Sequence, residues 1–157
     1  MVSIEWLKRT ELFKTLEESQ LHTLLSCAHV ESFSEGHTIF NQGKEADSLY
    51  VLIEGGVDLI VKAQEKNDFM TSKIEKEGAV FGTASLMEPY QYNVTATCLK
   101  PSKVLILQAN LLISAMEKDP KMGMEIMKKL ATIYFNRLNH LRSGISDLLE
   151  KLKLKMP

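Results

Sequence analysis

At 157 residues, with 45% hydrophobic and 25% charged side chains, the chain suits one domain with an adequate core plus one appended element. A net charge of −1 gives no electrostatic reason to expect nucleic acid or an anionic membrane as partner, and no apolar run approaches the ~20 residues of a membrane span. The start, Met1-Val2-Ser3-Ile4-Glu5-Trp6, lacks the basic-then-apolar layout of a signal peptide, so a cytoplasmic location is expected.

Leu7 to Ala28 reads as two short helices. Leu12, Phe13 and Leu16 form the apolar side of the first; Glu18-Ser19-Gln20 resets the chain before Leu21, Leu24, Leu25 and Ala28, spaced for one helical face. Val30 and Phe33 alternate loosely with polar neighbours up to a turn at Ser34-Glu35-Gly36. Turn-formers then recur every several residues, with β-prone runs His37–Phe40, Leu49–Ile53 and Val57–Val61 between them. That is the rhythm of antiparallel strands joined by tight turns, because glycine accepts the positive φ such turns need. Ala63 to Asp68 reads as a polar hairpin tip between Leu59–Val61 and Phe69–Ile74. Lys76-Glu77-Gly78 is another turn, and Asn93–Cys98 and Lys103–Leu107 supply the last strands. The expected fold is mainly β with flanking α: an eight-stranded jelly-roll barrel, N-terminal short helices and a long C-terminal dimerisation helix.

From Gln108 the character changes. Asn110 is an N-cap candidate for Leu111–Glu117, and Pro120 can open a long helix over about Lys121 to Lys153. Met124, Met127, Ala131, Tyr134, Leu138, Leu141, Ile145, Leu148 and Leu152 follow alternating steps of three and four, the a/d seam of a coiled coil. A second stripe, Ile126, Leu130 and Ile133, exists only in the first half. The first half is therefore expected to pack one face on the barrel and the other on a partner, and the second half to need that partner. A parallel homodimer is expected, with Met127, Tyr134, Leu138, Leu141, Ile145, Leu148 and Leu152 at its interface. Gly144 falls at an outer heptad position, costs about 1 kcal/mol of helix propensity and is a point where the coil can loosen. Residues 1–120 are then the helix-and-barrel unit and residues 121–157 the long helix, with no DNA-binding module expected.

Cys27 and Cys98 stand alone in apolar runs and read as small hydrophobes; without C-x-x-C, a cysteine-rich metal site has no support. His22, His29, His37 and His140 show no His-x-x-x-His spacing, so neither metal nor cofactor is expected. No Ser/His/Asp or Cys/His set, paired carboxylates at a cleft motif or Walker-type loop can be assembled, which argues against an enzyme.

Three segments in order, G-x-x-I-F-x-x-G from Gly36 to Gly43, D-x-L-Y-x-L from Asp47 to Leu52 and E-G-x-V from Glu54 to Val57, resemble the cyclic-nucleotide-binding domain family, the effector half of proteins like the bacterial cyclic-AMP receptor protein. The resemblance runs over about Leu7 to Leu141. It implies a ligand inside the barrel, under the long helix. Its phosphate would be held by one cassette: F-G-E, a short helix, then an Arg before small residues at a strand start. Here that cassette reads Phe81-Gly82-Thr83-Ala84-Ser85-Leu86-Met87-Glu88-Pro89-Tyr90-Gln91-Tyr92-Asn93-Val94-Thr95-Ala96. Phe81 and Gly82 match, Thr83 stands at the Glu that holds the ribose hydroxyl, and the Arg position falls at Tyr92, give or take a residue.

No Lys or Arg occurs from Glu77 to Leu99. A buried phosphate without its cation loses about 3–5 kcal/mol, which takes a micromolar site to about millimolar at roughly 1.4 kcal/mol per decade. The remaining candidate ligand contacts are Phe81, Gly82, Thr83, Ala84, Ser85, Gln91, Tyr92 and Asn93, with the backbone N–H groups of Ala84, Ser85 and Leu86 able to attract an anion. Arg142, on the long helix, is the candidate substitute cation. Three readings stay open. The first is a sensor for another small effector, signalling through the helix to an unknown protein partner. The second is a structural or interaction dimer whose pocket is filled by Tyr90 or Tyr92. The third is a cyclic-nucleotide binder with an unusual phosphate contact.

Overall fold

The computed structural model describes residues 2–62 and 68–155. Helix α1 (Ile4–Arg9) opens with the Ser3 side chain accepting from the Trp6 N–H at 3.1 Å. It stops at Thr10, whose backbone is extended and whose hydroxyl donates to Leu7 O at 2.7 Å, a local bond that competes with helix continuation. Leu12, Phe13 and Leu16 are therefore buried as expected but sit in turns, not on a helix. Helix α2 (Glu18–Ser26) buries Leu21 and Leu24. Ala28 is not on its face, because the chain becomes extended there.

Eight strands follow: β1 (Ala28–Phe33), β2 (Thr38–Phe40), β3 (Ser48–Glu54), β4 (Val57–Lys62), β5 (Asp68–Ile74), β6 (Val80–Phe81), β7 (Thr95–Cys98) and β8 (Ser102–Gln108). They form two antiparallel four-stranded sheets, ordered β1-β8-β3-β6 and β2-β7-β4-β5. The expected hairpin tip at Ala63–Asp68 lies, up to residue 67, outside the described residues. Strand β6 has only two residues, too short for a period-2 pattern to announce it.

Alternation along β3 and β8 divides the core in two. Tyr50, Leu52, Val104 and Ile106 point between the sheets, where they meet Phe40, Val57, Phe81 and Ala96. Leu49, Val51, Leu105 and Leu107 point the other way, onto Leu7, Leu12, Phe13 and Leu24 of the N-terminal segment. The first sheet is thus covered on both faces, which explains why β3 is buried from Ser48 through Leu52.

Helix α3 (Ala109–Lys118) starts directly off β8, its Ala109 N–H donating to Asp47 O at 2.9 Å. That contact sets Gln108 as the N-cap and leaves Asn110 inside the first turn, so the expected Asn110 cap does not form. Helix α4 (Pro120–Lys155) runs 36 residues, about 54 Å, and continues through Gly144 without a break. Met122, Ile126 and Leu130 are buried and Ile133 packs beside them. Every described residue after Arg137 is exposed. None of the described helices is long and apolar enough to cross a membrane.

Candidate functional site

A cavity of about 620 Å³ lies between the second sheet, the cassette and the first half of α4, a size suited to a small molecule. Phe40 from β2 and Leu59 and Val61 from β4 form one wall. Gly82, Thr83, Ala84 and Met87 form the second, and Met127, Leu130, Ala131, Tyr134 and Arg137 from α4 close it. Most of this lining is apolar. Among the described residues no group of three His, Cys, Asp or Glu side chains could hold a metal ion.

The structure divides the residues expected at the ligand into three groups. Gly82, Thr83, Ala84, Gln91, Tyr92 and Asn93 line the cavity, with Gln91 and Asn93 exposed at its rim. Phe81 and Ser85 do not. Phe81 is fully buried in the intersheet core, its ring stacked 5.1 Å from that of Tyr50. Ser85 is buried, and both its N–H (3.2 Å) and its hydroxyl (2.9 Å) donate to Gly82 O, so it has no donor to offer a ligand. Gly82 itself adopts φ +76, where an added Cβ would lie 2.6 Å from the Tyr50 ring, so the turn that carries Thr83 needs glycine.

Tyr92, at the expected cation position, is built into the frame. Its ring stacks on Phe40 with centroids 3.8 Å apart. Its hydroxyl accepts from the Ser48 N–H at 3.2 Å and donates to Ser48 O at 3.0 Å, with Asp47 Oδ1 at 3.4 Å. It therefore presents a ring face to the cavity and no polar group. Burial, reinforced by the Tyr92 hydroxyl beside it, pushes the Tyr50 phenol well above its ordinary range, and burial likewise raises Tyr92. Tyr90 faces a different hollow, beside His29 and Asn110, and does not fill the cavity.

Arg142 is exposed and lies outside the lining. Among the described residues, the basic side chain that reaches the cavity is Arg137, which sequence reasoning passed over. Its Nη2 donates to Val80 O at 2.6 Å, and its guanidinium sits 4.9 Å over the Tyr134 ring. A signal for it existed: Ile126, Leu130 and Ile133 step by four and three along the sheet-facing stripe, and Arg137 is the next position. Tyr134, one turn earlier on the same side, accepts from Thr83 Oγ1 at 2.5 Å. Two polar ties therefore join the cassette region to α4.

The residues expected at a dimer interface, Met127, Tyr134, Leu138, Leu141, Ile145, Leu148 and Leu152, are all exposed. Met127 and Tyr134 also line the cavity, so the exposed stripe and the cavity wall are continuous on α4.

The family model for the cyclic nucleotide-binding domain matches residues 30–119. The chain is 30% identical to a putative cyclic nucleotide-binding protein from Geobacter metallireducens, over 88% of this chain and 99% of that one, with a TM-score of 0.77. It is 25% identical, over 92% of its length, to a CRP-like cAMP-activated global transcriptional regulator of Mycobacterium tuberculosis, and 28% identical, over 91%, to a cAMP-dependent protein kinase regulatory subunit of Candida albicans. It spans 62% of the mycobacterial protein and 30% of the fungal one.

Proposed function

The chain belongs to the cyclic nucleotide-binding domain family, and from that premise we propose that it is a sensory module whose cavity takes a small effector without the usual cyclic-AMP contacts. The domain is regulatory, not catalytic; the two curated relatives described above are a regulator of transcription and a regulatory subunit of a kinase. The observation that carries the reading is the cavity, with about 620 Å³ open although the cassette contributes no cation to it. A pocket kept only as a structural corner would be filled, and Tyr92, the residue best placed to fill it, is instead tied back to Ser48.

In this reading residues 1–120 are the binding unit, its two sheets closed as a jelly-roll barrel, and residues 121–157 are the output helix. Occupancy changes the seating of α4 through the Thr83–Tyr134 and Arg137–Val80 contacts. The helix pairs in parallel with a second copy through Leu138, Leu141, Ile145, Leu148 and Leu152, whose exposed stripe extends roughly 23 Å beyond Arg137. An unidentified protein partner in the cytoplasm receives the signal. A net charge of −1 offers no broad basic footprint for nucleic acid.

Calorimetric titration with cyclic AMP and cyclic GMP, carried to millimolar, tests the reading. The expected result is no saturable heat in the micromolar range. Micromolar saturation by either nucleotide would overturn it and point to a substitute phosphate contact.

A further inference from the structure

We propose that the cavity's ligand is an amphipathic anion, an apolar or aromatic body bearing one carboxylate or phosphate, and that Arg137 holds its charge. This rests on the effector reading above and names the chemistry of the effector.

Among the described residues Arg137 is the cation of the lining. One of its five guanidinium donors goes to Val80 O at 2.6 Å. Among the described residues no carboxylate forms an ion pair with it. The acid that shares the lining, Glu88, is exposed at the rim. A half-buried guanidinium that has only a neutral carbonyl and an aromatic face retains a planar fork suited to a carboxylate or phosphate.

The rest of the wall says what the body of the ligand is. Phe40, Leu59, Val61, Val94 and Leu130 offer apolar surface. Three polar side chains of the cassette are already hydrogen-bonded, Thr83 to Tyr134, Ser85 to Gly82 and Tyr92 to Ser48, while Gln91 and Asn93 stand exposed at the rim. A ribose or similar polyol would leave buried hydroxyls unmatched, at about 1–3 kcal/mol each, whereas an apolar body loses nothing. The charge contact is also on the moving part. An anion that draws Arg137 from Val80 breaks one of the two polar ties that seat α4, so binding is coupled to the seating of the helix.

The test uses the full chain and three probes with one aromatic body: 2-naphthoate, its uncharged counterpart 2-naphthamide, and 2-naphthyl phosphate, each titrated by calorimetry to millimolar. The expected result is at least tenfold tighter binding of one anion than of the amide, the two anions telling carboxylate from phosphate. Arg137→Gln removes that advantage and leaves amide binding within about twofold, and Arg142→Gln changes neither. Equal affinity for the amide and both anions overturns the assignment of Arg137 while leaving the cavity as a binding site. Failure of all three to bind overturns both. The comparison of anion with amide in the unaltered protein needs no variant, so it stands even if Arg137→Gln folds poorly.

Discussion

Thr83 Oγ1 donates to the Tyr134 hydroxyl across 2.5 Å, joining the residue that opens the cassette turn to the helix that closes the cavity. Each partner is chemically ordinary, and the bond exists only because the sheet and α4 meet there. Thr83→Val keeps the shape and removes the donor. It is expected to lower stability by about 1 kcal/mol, roughly 2–4 °C in melting temperature for a chain of this size. Amides at the N-terminal half of α4 should exchange faster. An unchanged melting temperature together with unchanged exchange would show the contact to be incidental.

The exposed stripe on α4 predicts a second copy. Leu148 is 58% exposed and Leu141 43%, and leaving such side chains in water forfeits roughly 25 cal/mol for each Å² that could be buried. Sedimentation of the unaltered chain should give a dimer, and Leu141→Glu combined with Leu148→Glu should give a monomer with the same β-sheet circular dichroism. A parent that stays monomeric at every concentration refutes the pairing.

Tyr92→Phe deletes a hydroxyl that satisfies both the N–H and the C=O of Ser48. Two buried backbone groups then lose their partner, and the cost should be about 1–3 kcal/mol. A shift in the urea midpoint at constant slope reads it. No shift would mean that water replaces the phenol.

Both raised phenols make stability fall in alkali. The ordinary phenol value is 10.0 and the folded values of Tyr50 and Tyr92 lie above it, so above pH 10 the unfolded chain loses these protons first and is favoured. Stability from this source is complete below pH 10 and lost as pH rises through the folded values. Absorbance at 295 nm should show tyrosinate from this pair appearing together with unfolding. If all tyrosinate forms while the fold persists, the pair is not held as described.

Gly55 and Gly36 separate strain from collision. Both have positive φ, +112 and +84, but a Cβ at Gly55 would sit 2.6 Å from Ser102 Cα and 2.7 Å from Pro101 O, whereas at Gly36 nothing lies within 4 Å. Gly36→Ala should cost about 1 kcal/mol from backbone strain. Gly55→Ala should exceed the roughly 1–3 kcal/mol of strain alone, because backbone must move. Equal urea midpoints for the two variants would rule out the collision.

Much of the fold was legible because strands and turns write themselves in short-range chemistry. Runs such as Leu49–Ile53 and Val57–Val61 differ from the observed strands by at most one residue at either end. The long helix was legible from its two apolar stripes. The errors fell where one hydrogen bond overrides the apolar and capping pattern: Asp47 O, far off in sequence, accepts from the Ala109 N–H and moves the α3 cap off Asn110, and locally the Thr10 hydroxyl on Leu7 O ends α1 before Leu12.

The site was half legible. Thr83, Gln91, Tyr92 and Asn93 could be placed on the cavity from cassette order, since neighbours in sequence share one turn. That Ser85 turns inward, that Tyr92 spends its hydroxyl on Ser48, and that Arg137 reaches the cavity while Arg142 does not, depend on side-chain direction and on where a helix lies over a sheet.

By itself the order of residues determined the strand rhythm, the length and stripes of α4 and the lack of any cassette cation, because each is set by neighbours within a turn or two. Only the tertiary structure decided which cation the cavity receives and which polar groups remain available to a ligand. Five residues separate Arg137 from Arg142 along α4, and burial against a sheet edge more than 50 residues away in sequence, at Val80, is what distinguishes them.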